Sequence, residues 1–161
     1  LVPKMADDAS IVNLASLAGF GWPNALEQCT AALALSMDDN VDDFCNAQGL
    51  DTDDSGRSYF LSKEALIIWT MQNRWTWRDR RINMNCISPG PVDTPILDDF
   101  IQTLGARAEE DMKVMDRPGT PQDVAPVVSF ALSAHAKWFR GANLTADGGM
   151  SSHILSNIHH F

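Results

Sequence analysis

Short apolar runs rich in β-branched residues alternate with longer stretches of mixed polarity along this chain. Ser10-Ile-Val-Asn-Leu-Ala-Ser16 has the length and content of a buried strand. Residues 24–37, rich in Ala and Leu, predict a helix. Residues 38–57 hold seven aspartates and two glycines and show no ordered period, which predicts an acidic, solvated insertion. Residues 58–78 predict a long helix ending in Trp75-Thr-Trp-Arg-Asp-Arg-Arg. Arg81-Ile-Asn-Met-Asn-Cys-Ile-Ser88 predicts a second strand, closed by Pro89-Gly90-Pro91. Residues 96–104 and 106–115 predict two short helices. Thr120-Pro121 opens another, to about Ala134, with threonine as N-cap and proline in the first turn. Ala142-Asn-Leu-Thr-Ala146 predicts a last short strand, followed by Asp147-Gly148-Gly149. Strands separated by helices imply an α/β fold with a parallel sheet and crossover helices.

Composition narrows the class. The 161 residues are 45% hydrophobic and 20% charged, enough for one domain with its own core. No run is long and apolar enough to span a membrane. Twelve basic against twenty-one acidic residues give a net charge of −9, which leaves no basic stripe for nucleic acid. Cys29, Cys45 and Cys86 show no C-x-x-C spacing, so free thiols in a reducing cytoplasm are expected rather than disulfides or zinc. The opening Leu-Val-Pro-Lys-Met-Ala-Asp-Asp lacks the architecture of a secretory signal and begins without methionine.

The sharpest chemical signal is the pair Tyr59 and Lys63. Four residues apart on a helix, they share one face. An ammonium beside a phenol favours the phenolate, one way for a tyrosine to act as a base near neutral pH. Other signals are weaker. Asp51-Thr-Asp-Asp-Ser-Gly56 mimics half a calcium loop, but Ser62 stands where a bidentate glutamate is needed, so a solvated acidic loop is expected. Asn143-Leu-Thr145 fits a glycosylation pattern inside an expected strand. His135, His153, His159 and His160 have no metal-ligand spacing with a partner acid. Trp69, Trp75, Trp77 and Trp138 are expected to pack the core or an interface.

The order of these segments resembles the C-terminal part of the short-chain dehydrogenase/reductase family. The matching pieces are the strand ending in Ser16, the Tyr59–Lys63 pair, Asn85-Cys-Ile-Ser-Pro-Gly-Pro-Val-Asp-Thr94 and Ala146-Asp-Gly-Gly149, across about residues 10–152. The resemblance implies part of a Rossmann-like, doubly wound parallel sheet. It also implies roles. Ser16 would hold the substrate oxygen, Tyr59 would transfer the proton, and Lys63 would support the tyrosine and bind the nicotinamide ribose. Pro89, Gly90, Val92 and Thr94 would line the cofactor, NAD or NADP, with NAD favoured by the resemblance. Pro91 would meet the substrate, and Trp22 would serve either the substrate pocket or the core.

Two departures stand out. Tyr59 follows Ser16 by 43 residues, a much longer gap than most of the family has. A long insertion here is similar to the subgroup of 3α-hydroxysteroid dehydrogenase/carbonyl reductases and coniferyl-alcohol dehydrogenases. That likeness implies a hydrophobic, ring-bearing alcohol or ketone as substrate, and a homodimer rather than a tetramer. The family's glycine-rich dinucleotide loop and its upstream asparagine have no counterpart here. The expectation is therefore one truncated Rossmann-like domain over residues 1–161, with residues 38–57 as the acidic insertion and 94–118 as substrate-loop helices. Its N-terminal half would be missing from the chain and would be a partner for it. The opposing expectation is a non-catalytic fragment or assembly subunit that keeps the three residues by descent.

Overall fold

The computed structural model describes residues 2–50, 56–95, 97, 101 and 112–161. Three strands form one parallel sheet in chain order: β1 (Ser10–Leu14), β2 (Asn83–Pro89) and β3 (Asn143–Ala146). Ser10 lies opposite Asn83 and Leu14 opposite Ile87, while Cys86 faces Asn143 and Pro89 faces Ala146. Five α-helices are described: α1 (Leu26–Leu33), α2 (Val41–Gln48), α3 (Arg57–Gln72), α4 (Pro121–Leu132) and α5 (Met150–His159). None of the helices among the described residues is long and apolar enough to cross a membrane.

Strand β2 is the buried centre, its first six residues all sequestered. Alternation sends its side chains to two faces. Cys86 packs with Ile67 of α3 and Ala15. On the other face Asn83 and Asn85 are fully buried. Their amides donate to the Phe139 carbonyl at 3.3 and 2.9 Å, and the Asn85 oxygen accepts the Ala142 N–H at 3.0 Å. A buried amide is tolerable only when bonded in this way. Strand β1 has a ladder partner on one side only among the described residues, and Leu14 at its end is more than half exposed.

The expected strands and the Thr120-Pro121 helix start agree with the structure; Thr120 and Asp123 form a reciprocal capping box there. Three expectations need correction. Residues 38–57 are not simply a solvated insertion, because α2 lies inside them. Asn40 caps its first turn by accepting the Asp42 and Asp43 N–H groups, at 2.9 and 3.4 Å. Those acids suit the positive end of the helix, and Gly49 ends it in the left-handed region at φ 64°. Leu50 then enters a core with Cys29, Leu61, Ala65 and Ile68, with Phe44 and Cys45 packed alongside. The second correction is that α3 stops at Gln72 rather than 78. Asn73 turns its side chain back to the Trp69 carbonyl at 2.8 Å, and the poor helix formers of Trp75-Thr-Trp follow. Third, α1 is shorter than residues 24–37, because a 3-10 segment over Leu17–Asn24 precedes it. A further helix that the pattern did not announce, α5, follows the glycine pair; its start is fixed by the Asp147 carboxylate, which accepts the Gly149 and Ser151 N–H groups at 3.1 and 2.8 Å. The helices expected at 96–104 and 106–115, and the calcium-like Asp51–Ser55 run, lie mainly outside the described residues.

Cys29, Cys45 and Cys86 are free thiols. Burial pushes the Cys86 thiol up to about 11 and raises Cys29 as well. A raised thiol favours the neutral form in the fold. The stabilisation is therefore present below the ordinary value of 9.0 and lost as pH climbs through about 11. At pH 8 an alkylating reagent should modify Cys29 and Cys86 much more slowly in native protein than in denaturant, as read by mass spectrometry. Equal rates in the two states would contradict this packing.

Candidate functional site

The site is assembled where β1 runs into the 3-10 segment and meets α3. Ala15 continues the ladder by donating to the Ile87 carbonyl at 2.8 Å. Ser16 follows with an extended backbone, and its Oγ accepts the Ala18 N–H at 3.2 Å. The hydroxyl thus begins the 3-10 segment while keeping its own hydrogen to donate. The segment then lies against α3 at Gly19. A Cβ there would come within 2.8 Å of the Lys63 backbone carbonyl and 2.7 Å of Ile67 Cδ1. Only a residue without a side chain allows that approach.

Tyr59 is the third residue of α3 and is 41% exposed. One turn on, the Lys63 ammonium stands 5.6 Å from the Tyr59 ring centroid, within cation–π range. Its Nζ also donates to the Leu14 carbonyl at 3.3 Å, which ties α3 to the end of β1 two residues before Ser16. The structure therefore brings Ser16, Tyr59 and Lys63 to one junction, at the carboxyl end of a parallel sheet. Open α/β sheets bind ligands at that end.

A second group gathers at the carboxyl end of β2. Gly90 donates to the Ala146 carbonyl at 3.1 Å, and a Cβ on it would meet the Asp147 Cα at 2.9 Å. Beyond it, Gly119 donates to the Pro91 carbonyl at 2.9 Å and Asp93 to the Gly119 carbonyl at 2.8 Å, bracketing Val92. Thr94 Oγ1 donates to the Val92 carbonyl at 3.3 Å. Pro91 lines a shallow cleft with Met115, Gly119, Val127 and Gly148. At its edge Arg117 forms two hydrogen bonds with the Asp123 carboxylate, at 2.8 and 3.0 Å. Trp22 is half-buried and packs against both core clusters, Leu50 and Leu61 on one side and Ala15 and Ile67 on the other.

Sequence reading did not single out Arg57, Glu64 and Gln28. Glu64 is only 4% exposed although it directly follows Lys63. Arg57 Nη1 lies 2.8 Å from its carboxylate, and the same guanidinium donates twice to Gln28 Oε1, at 3.1 and 2.7 Å. Spacing gave a weak signal, since positions 57 and 64 lie two turns apart on one helical face. Asn143, the glycosylation-like position, accepts the Ser88 hydroxyl at its Oδ1 at 2.7 Å inside the sheet. Among the described residues no cluster of three His, Cys, Asp or Glu side chains could hold a metal ion.

Comparison with known proteins bears on the family and the fold. A family model described as Enoyl-(Acyl carrier protein) reductase matches residues 47–151. A coniferyl-alcohol dehydrogenase of Pseudomonas sp. is 34% identical over 164 residues, an alignment covering 94% of this chain and 59% of that protein. A 3-alpha-hydroxysteroid dehydrogenase/carbonyl reductase of Comamonas testosteroni is 29% identical over 97 residues, covering 59% of this chain and 38% of that protein. The crystal structure of a 3-alpha-hydroxysteroid dehydrogenase from a Pseudomonas species, complexed with NADH, superposes with a TM-score of 0.71 at 26% identity. It covers 91% of this chain and 57% of that one. The alignments thus span 59%, 38% and 57% of these relatives' own lengths.

Gly19→Ala should separate the 3-10 segment from α3, because the new methyl meets the Lys63 backbone as well as the Ile67 side chain. A loss of about 1–3 kcal/mol in unfolding free energy by urea titration is expected. An unchanged midpoint would show that the segment does not rest on α3 as described.

Proposed function

The chain belongs to the short-chain dehydrogenase/reductase family, and we propose that it carries the catalytic residues of an NAD(P)-dependent oxidoreductase that interconverts an alcohol and its carbonyl. The observation that supports this most is the junction of Ser16, Tyr59 and Lys63 on β1 and α3. The proposed substrate is a secondary, allylic or aryl alcohol on a hydrophobic ring system, of the coniferyl-alcohol or hydroxysteroid kind. The relatives named above support that class. Trp22 and Pro91 would flank it.

The donor set suits the nicotinamide end of the cofactor. The Lys63 ammonium has three N–H donors and spends one on the Leu14 carbonyl among the described residues, leaving two for a ribose diol. Tyr59, Pro89, Gly90, Val92 and Thr94 would complete that end. Bound nicotinamide supplies the hydride acceptor or donor. Ser16, with its Oγ already accepting from Ala18, turns its free hydrogen to the substrate oxygen and holds it as charge develops. Tyr59 takes the alcohol proton during oxidation and returns it during reduction. Lys63, with its ammonium 5.6 Å from the Tyr59 ring centroid, would orient that side chain while it binds the ribose.

The test uses the protein at the full length its gene encodes, with coniferyl alcohol or a 3α-hydroxysteroid and NAD⁺ or NADP⁺, followed by reduced-cofactor absorbance. Turnover on either substrate supports the reading. A second reading is a non-catalytic subunit that keeps the three residues by descent. Cofactor binding without turnover on a panel of ring-bearing alcohols would favour that one.

Tyr59→Phe removes only a hydroxyl. It should lower kcat by roughly 100-fold or more, the usual worth of a positioned proton-transfer group, with the circular dichroism spectrum unchanged. A variant that keeps most of its turnover would remove Tyr59 from the mechanism. Lys63→Met should weaken both kcat and cofactor binding, because one ammonium serves phenol and ribose. Ordinary cofactor titration of that variant would count against the ribose role.

A further inference from the structure

The first turn of α3 carries Tyr59, and its N-terminal end lacks a side-chain cap. Its N-cap is Gly56, in the left-handed region at φ 68° with no side-chain cap, and no acidic residue occupies that turn. Arg57 puts a positive charge at the positive end of the helix, where the macrodipole disfavours it. Arg57 is held instead by a buried partner two turns away. Glu64 Oε2 lies 2.8 Å from Arg57 Nη1, with a carboxylate side chain only 5% exposed. That oxygen makes no hydrogen bond among the described residues, so the ion pair is what compensates its burial.

The contacts continue outward from this pair. The Arg57 guanidinium grips Gln28 of α1, and Gln28 Nε2 donates to the Gln48 carbonyl at the end of α2, at 3.2 Å. Gly21 of the segment led by Ser16 lies over the same carboxylate, since a Cβ there would stand 3.0 Å from Glu64 Oε1. Helical periodicity sets Arg57 and Glu64 on a different face of α3 from Tyr59 and Lys63. From this geometry we infer that Arg57, Glu64 and Gln28 are positioning residues. They clamp the back of α3 to α1, α2 and the Ser16 segment, and so fix where Tyr59 sits relative to Ser16. The inference rests on the reading of Tyr59 as the proton-transfer residue.

The experiment compares Glu64→Gln, the apolar pair Arg57→Leu with Glu64→Leu, and Tyr59→Phe in the full-length protein with coniferyl alcohol and NAD⁺. Amide hydrogen exchange at residues 57–60 is the second readout. Misplacing a reacting group by about 1 Å costs on the order of 100-fold. Glu64→Gln should therefore lower kcat roughly 10- to 100-fold while KM for NAD⁺ stays near wild type. Exchange at residues 57–60 should accelerate while that of β2 does not. The apolar pair should recover thermal stability without recovering kcat, and it decides the matter where Glu64→Gln fails to fold. Wild-type kcat in either variant, or unchanged exchange at residues 57–60, would overturn the clamp. Retained turnover in Tyr59→Phe would instead overturn the catalytic reading, while the exchange data still judge the clamp.

Discussion

The rest of the site depends on one close approach, that of the Ser16–Asn24 segment to α3 at Gly19. Helix and segment touch backbone to backbone there, at the peptide of Lys63. That contact decides which turn of α3 faces the end of β1. Lys63 can then reach the Leu14 carbonyl, and Tyr59 one turn earlier overlooks the same junction. A side chain at position 19 would force the two elements apart, and every relation among the three residues would change with it. A packing constraint on a glycine thus sets the geometry of a polar site, because close-packed interiors transmit even small displacements.

The same device recurs at the other end of the sheet. Gly90 allows the loop after β2 to lie against Asp147 after β3. Asp147 in turn caps α5 through its carboxylate. Two loops that would carry ligand-facing backbone are therefore locked to each other and to a helix start, rather than left to swing. Strand β2, buried along nearly its whole length, is the rigid element to which both glycine contacts are referred. Its two asparagines add directional bonds that an apolar strand would lack. They fix how the chain from Phe139 to Ala142 leads into β3.

The sequence made some of this plain and hid the rest. Ser10–Ser16, Arg81–Ser88 and Ala142–Ala146 read as strands because short apolar runs flanked by turn residues have few alternatives. Tyr59 and Lys63 read as a pair because helical spacing alone places them together. Helix α2 was hidden by its own acids. Seven aspartates suggested solvation, yet Asn40 and Gly49 are cap residues in the right places, and Asp42 and Asp43 suit a first turn. The Arg57–Glu64–Gln28 contact was hidden for another reason. Gln28 is remote in sequence from Arg57, and only folding shows that Glu64 is buried. Local patterns report local structure; a buried ion pair between remote elements leaves almost no local trace.

The long gap between Ser16 and Tyr59 follows from these contacts. Lengthening a connection costs little in closure entropy, because the cost grows only with the logarithm of its length. What an insertion must not do is pull the serine away from the tyrosine. Here the inserted chain leaves Ser16, runs along α3, forms α1 and α2, and returns to α3 through Leu50. Cys29 of α1 and Leu50 after α2 share a core with Leu61, Ala65 and Ile68 of α3. Both ends of the insertion are therefore anchored on the helix that carries Tyr59 and Lys63. The added chain packs behind that helix instead of stretching between it and β1. Its apolar face is spent on α3, and Asp38, Asp39, Asp42 and Asp43 are left for solvent.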